Sequence, residues 1–173
     1  KIYAAGGDDL IWGGYGKDYI DGGLGNDTLA YTDMTGAANV DLAITTAQNT
    51  GVYGFDTIIN VENLISGNEN DALRGNALAN RLSAGTGDDF IDRRAGNDEI
   101  NGGFGADTLL GGEGNDLFSG EGDSASDLID LVGKNKGSLE ALGQLPEYLE
   151  KIATALGGAG EQAKSAAFAL VGE

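Results

Sequence analysis

The sequence has no cysteine and no histidine, one proline and one tryptophan. Without cysteine no disulfide can hold the fold, and cysteine usage leaves the compartment open. Without histidine, a Ser-His-Asp triad, a Cys-His pair and the H-E-x-x-H zinc motif are all excluded. Basic residues are scarce too: 10 Lys and Arg stand against 28 Asp and Glu, a net charge of −18. That balance disfavours nucleic acid and anionic membranes as partners and favours metal cations. No run approaches the roughly twenty apolar residues that span a membrane. The opening KIYAAGGDDL is not a signal peptide. It starts almost inside a repeat, which suggests a piece of a longer chain.

With 173 residues the chain is long enough for one ordinary domain, but 31 glycines argue against an ordinary core. A disordered acidic tract would share this composition, yet the apolar residues recur in strict register. Gly102–Ser119, GGFGADTLLGGEGNDLFS, is one nine-residue phrase written twice: G-G-x-G-x-D-x-U-x, with U large and apolar. Such a nonapeptide is a known signature of repeat architectures that bind calcium. In an extended segment side chains alternate faces, so the sixth-place Asp and the eighth-place apolar residue point the same way. The eighth place fills an interior while the sixth stands at the mouth of the turn. Glycines at the first, second and fourth places let the backbone curl with carbonyl oxygens aimed at a common point. Carbonyls plus carboxylate, without imidazole or thiolate, are hard oxygen donors that suit calcium rather than zinc or copper. One phrase supplies only part of a shell of about six to eight oxygens, so a second must close it.

The first array, within residues 1–30, is Ala4–Trp12, Gly13–Asp21 and Gly22–Ala30. Its sixth places are Asp9, Asp18 and Asp27 and its eighth places Ile11, Ile20 and Leu29. From 31 to 65 the period lapses. Asn39–Thr46 alternates like a half-buried strand, Asn49–Gly54 reads as turn, and Asp56–Ile65 is β-branched and apolar. This insertion is expected to continue the same stack, the alternative being a separate binding loop. Tyr31, Tyr53 and Phe55 are core candidates or a sugar-stacking platform. The second array, within 66–132, resumes in phase with sixth places Asp71, Asn80, Asp89, Asp98, Asp107 and Asp116. Its eighth places are Leu73, Leu82, Ile91, Ile100, Leu109 and Phe118, and a stretched last copy, Gly120–Asp130, carries Asp127. Asn80 makes its site less charged, and Arg93 and Arg94 replace both leading glycines of their repeat. Residues 133–173 show helical spacing instead: Ser138 caps Leu139–Leu145, Pro146 opens Glu147–Leu156, and Glu161–Val171 is a further helix. This tail is expected to cap the open end of the stack, to serve as an export address, or both.

Residues 4–30 and 66–130, on the strength of these in-phase phrases, resemble the RTX (repeats-in-toxin) calcium-binding family. NVENLISGNENDALRGN is similar to segments that precede such arrays in secreted metalloproteases of the serralysin type. The resemblance implies an all-β fold: a parallel β-roll in which two nonapeptides make one turn, with calcium between successive turns and a short helical C-terminal segment. It pairs sixth-place carboxylates one turn apart and adds carbonyls from the second and fourth places of one repeat and the first and third of the other. Asp9 and Asp27 are thus joined by Ala5, Gly7, Gly22 and Leu24. Asp71 and Asp89 use Gly67, Glu69, Ala84 and Thr86, while Asn80 and Asp98 draw on Arg93 and Ala95. The best formed are expected to be Asp89 with Asp107, using Gly85, Gly87, Gly102 and Phe104, and Asp98 with Asp116, using Arg94, Gly96, Gly111 and Glu113. Asp107 pairs with Asp127 or Asp123, using Gly103, Gly105, Gly120 and Gly122. Asp18 has no in-phase partner and binds nothing or borrows from the insertion. The cofactor implied is calcium, about four to six ions.

The family also implies type I secretion through a C-terminal signal and folding on external calcium, hence a bacterial extracellular protein whose partners are calcium and the secretion machinery. The expected function is a non-catalytic calcium-binding module of a larger extracellular protein, and whether an enzymatic domain such as a protease, lipase or polysaccharide-modifying enzyme lies upstream is left open. The alternative is a module binding an acidic polysaccharide or a surface, with Arg74, Arg81, Arg93 and Arg94 on one face. Carboxylate pairs also serve glycosidases, but each Asp is already explained by its metal register and no cleft is implied.

Overall fold

A computed structural model describes residues 1–32, 35–110, 112–114 and 116–119. The last repeat Gly120–Asp130, with Gly120, Gly122, Asp123 and Asp127, lies outside the described residues, as do Gly111 and the helices expected over 133–173. The described strands begin with β1 (Ile2–Tyr3), β2 (Leu10–Trp12), β3 (Tyr19–Asp21), β4 (Thr28–Ala30), β5 (Asn39–Asp41), β6 (Gln48–Asn49) and β7 (Phe55–Ile59). They continue with β8 (Asn63–Ile65), β9 (Ala72–Arg74), β10 (Arg81–Thr86), β11 (Phe90–Asp92), β12 (Glu99–Phe104), β13 (Thr108–Leu110) and β14 (Leu117–Ser119). Among the described residues there is no helix.

The sequence period becomes a spatial one through the ladder. Each strand bonds in parallel to the strand two phrases on: Leu10↔Thr28, Arg81↔Glu99 and Phe90↔Thr108 are register pairs. One sheet runs β2-β4-β8-β10-β12-β14, and opposite it lie β1-β3-β7 and β5-β9-β11-β13. Alternate phrases thus feed opposite sheets, the arrangement of a parallel β-roll.

The segment 31–65 enters this stack. Its ladder steps lengthen to 38 residues at β3/β7, 35 at β4/β8 and 33 at β5/β9. Of the pairings between named strands only β6 on β7 is antiparallel, and an isolated antiparallel bridge, Ala38↔Gly51, ties the β5 and β6 segments together. The expected strand over Asn39–Thr46 stops at Asp41, because the Asp41 carboxylate accepts from Ala43 N at 2.9 Å and turns the chain.

Inside, the eighth places form a single column. Ile11, Ile20, Leu29, Leu73, Leu82, Ile91, Ile100 and Leu109 are at most 6% exposed, and the insertion adds Val40, Ile58 and Leu64. A three-residue strand turns only its central side chain inward, so each strand contributes roughly 1.5–3 kcal/mol of apolar burial and little more. Tyr31 and Tyr53 thicken the interior, with ring centroids 4.5 Å apart. Tyr53 Oη donates to the Tyr31 carbonyl at 2.8 Å. Both are fully buried, which removes them from any sugar-stacking platform; only Phe55 is exposed.

Candidate metal centres

The same register that stacks the apolar column lines the sixth places into rows at the mouths of the turns. One row follows the six-stranded sheet through Asp9, Asp27, Glu62, Asn80, Asp98 and Asp116. On the other side lie Asp18 with Asp56, and Asp71, Asp89 and Asp107 in succession. Within each pair expected from the sequence the main-chain N–H of one residue donates to the Oδ1 of the next, while at the step from Glu62 to Asn80 it is Asn80 Nδ2 that donates to the Glu62 carbonyl. The distances are 2.9 Å for Asp9 to Asp27, 2.7 Å for Asp71 to Asp89, 2.7 Å for Asn80 to Asp98, 3.0 Å for Asp89 to Asp107 and 3.1 Å for Asp98 to Asp116. Every expected pair within the described residues is brought together.

These bonds occupy one oxygen of each carboxylate. The second oxygen of Asp9, Asp27, Asp89 and Asp98 is buried without a hydrogen-bond donor. An orphaned, buried carboxylate oxygen is costly, and a hard cation removes that cost. Burial, and then the charges of Asp107, Asp71 and Asp88, push Asp89 up to about 7; a main-chain bond from Asp71 works against this. Burial likewise raises Asp71 and Asp98. A carboxyl raised in the folded chain favours folding at low pH, and that contribution is lost as pH rises through about 7 at Asp89. At neutral pH the rows therefore weaken the fold unless a cation neutralises them.

Main-chain carbonyls are packed closely at the same turns. The glycines at the second and fourth places of one repeat sit against the matching carbonyls of the repeat one turn earlier. A Cβ built on Gly23 would lie 2.2 Å from Ala5 O, on Gly25 2.1 Å from Gly7 O, on Gly103 1.8 Å from Gly85 O, and on Gly105 1.9 Å from Gly87 O. Gly85 and Gly87 stand the same way over the carbonyls of Gly67 and Glu69. First-place glycines clear the carboxylates: a Cβ on Gly102 would meet Asp107 Oδ2 at 2.3 Å, and on Gly22 Asp27 Oδ2 at 2.7 Å. Third-place Leu24 and Phe104 turn their side chains to solvent. Ala84 is fully buried, and Thr86 N bonds to Gly67 O at 2.9 Å. No group of three or more acidic side chains is placed to hold an ion among the described residues. Paired carboxylates with main-chain carbonyls packed at the same turns are the hard oxygen donors on offer, the chemistry that fits calcium.

Three positions depart from this pattern. Asp18 finds its partner in Asp56, whose Oδ2 accepts from Tyr31 Oη and Thr50 Oγ1, each at 2.8 Å, so hydrogen bonds satisfy it. Glu62 takes the place after Asp27, its Oε2 accepting from Asp27 N at 2.9 Å. The sequence reading missed both Asp56 and Glu62. Their signal is a carboxylate two residues before a buried apolar residue, as in Asp56-x-Ile58 and Glu62-x-Leu64. The third is the Arg93-Arg94 pair. Arg94 adopts φ +68, so the turn forms without its glycine, and Ala95 bridges to Glu113. The Arg94 guanidinium grips Asp41 with two bonds, at 2.8 and 2.5 Å. Arg93 is fully buried, with Nη2 3.4 Å from Asp116 Oδ2.

That burial also revises the arginine face. Arg93 is out of solvent's reach, Arg94 is committed to Asp41, and Arg74 and Arg81 belong to different sheets.

Parallel turns carrying paired carboxylates and closely packed carbonyls make a β-solenoid that offers hard oxygen donors to a metal ion. The family of the RTX calcium-binding nonapeptide repeat (4 copies) matches residues 1–29, 65–100 and 94–125, just over half of the chain. The chain belongs to that family, whose repeats form a non-catalytic calcium-binding module. Comparison with curated proteins gives no match.

Proposed function

We propose that the chain is the calcium-triggered folding module of a larger protein exported by type I secretion, folding outside the cell and stabilising its parent there. The observation that carries this reading is the set of carboxylates of Asp9, Asp27, Asp89 and Asp98 within the rows, each with a buried oxygen that no hydrogen bond satisfies. In a calcium-poor cytoplasm those oxygens and the net charge of −18 oppose compaction. At the near-millimolar calcium found outside cells, each site that fills adds RT ln(1+[Ca]/Kd) to stability. Asp9/Asp27, Asp71/Asp89 and Asp89/Asp107 are the leading sites, and Asn80/Asp98 is the weaker one. The segments 1–30, 31–65 and 66–132 act as one stack, with 133–173 as cap and export address.

The polysaccharide-binding reading has less support, because the arginines expected on one face are not gathered there. Titration calorimetry of the chain with calcium, and separately with magnesium, tests the leading reading. Several calcium ions are expected to bind and magnesium to compete poorly, since magnesium resists shedding water into a site built largely from carbonyls. Absence of calcium binding, or equal affinity for both ions, would overturn it.

A further inference from the structure

One carboxylate pair already contains a cation. Arg93 stands at the first place of its repeat, where the other repeats of the second array carry Ser66, Gly75, Ala84, Gly102 and Gly111. At that place even a single added carbon reaches the carboxylate of the same repeat, as Gly102 shows at 2.3 Å from Asp107 Oδ2. Side chains alternate along the segment, so with Ile91 inward and Asp92 half-exposed, Arg93 points inward as well. Its guanidinium comes to rest with Nη2 3.4 Å from Asp116 Oδ2, both side chains fully buried. Asp98 belongs to the same turn pair: its N–H donates to Asp116 Oδ1 at 3.1 Å, so the carboxylate that Arg93 faces is the one bonded to Asp98. A guanidinium keeps its charge at neutral pH even when buried.

We infer that the Arg93 guanidinium takes the place of calcium between Asp98 and Asp116, a tethered cation that closes this turn whether or not calcium is present. Guanidinium is the basic group suited to such a place: planar, weakly hydrated and able to span two carboxylates. A calcium ion would have to share a buried space with a fixed positive charge, and the repulsion excludes it. The chain thus carries one fewer calcium ion than its carboxylate pairs imply. The turn pair around β12 and β14 is held at low calcium, while Asp71, Asp89 and Asp107 in the opposite row await the ion.

This rests on the calcium-module reading, and equilibrium dialysis of the full chain against calcium alone separates the two. An unsubstituted chain that binds no calcium would sink that reading itself. If it binds n ions, Arg93→Gly is expected to bind n+1, because it opens the site, and Arg93→Lys to stay at n. A folded Arg93→Gly chain that binds n ions or fewer overturns the inference. Should Arg93→Gly not fold at saturating calcium, Asp116→Asn decides the matter, since Asp116 belongs to no other described pair. Its count is expected to stay at n, and loss of an ion would show that calcium, not Arg93, occupies the pair.

Discussion

Asp89→Ala is expected to raise the calcium concentration at the folding midpoint by at least about tenfold, because losing even a supporting group of a metal site costs roughly 10–100-fold in affinity. Asp89 is shared: its Oδ1 accepts from Asp71 N at 2.7 Å and its own N–H donates to Asp107 at 3.0 Å, so it belongs to the pair before it and the pair after it. Its second oxygen is buried without a donor, which leaves that oxygen open to an ion. Asp18→Ala is the comparison. The partner of Asp18 is Asp56, whose Oδ2 is already satisfied by Tyr31 and Thr50, and the Asp18 side chain is itself 25% exposed. Its midpoint is expected to move much less. Calcium titrations followed by circular dichroism measure both, and equal shifts would contradict the pairing.

The second large effect is on the backbone. Gly103→Ala places a Cβ 1.8 Å from Gly85 O, at φ +92, so it both strains the turn and displaces a carbonyl assigned to the Asp89/Asp107 pair. Strain and overpacking together are expected to cost on the order of 3–5 kcal/mol in denaturant unfolding at saturating calcium. Gly14→Ala also adds a side chain at positive φ, +71, but meets nothing within 4 Å, and should cost only about 1–2 kcal/mol. Ala5 at φ +77 and Arg94 at φ +68 show that such a turn tolerates a Cβ where space is open. Similar losses for the two variants would mean that close carbonyl approach is not what the second-place glycine provides.

Where the period is strict, most of this was legible in the chain itself. Ile91 and Leu109 are buried, and Asp89 and Asp107 are brought together, because a nine-residue phrase with one inward side chain leaves no other register that keeps the apolar column inside. The insertion was legible in kind but not in topology. That β5 joins β9 and β3 joins β7 depends on ladder steps of 33 and 38 residues, which no local pattern encodes. Glu62 was hidden because its phrase, residues 57–65, has no glycine, and Asp56 because its phrase, residues 51–59, keeps Gly51 and Gly54 but falls out of phase with both arrays; each keeps the carboxylate-to-apolar spacing. Arg93 was misleading for a different reason. Arginine is rarely buried without a partner, and its partner, Asp116, lies in a phrase one turn away; read locally, it was only a missing glycine.

The central claim is that cations between the turns supply the cohesion that a core one side chain deep does not. Circular dichroism of the chain in excess chelator, followed by addition of calcium, tests it most directly. The expected result is little β signal in chelator and a cooperative gain on reaching near-millimolar calcium. A chain that is fully β-rich in chelator, and unchanged when calcium is added, would contradict it.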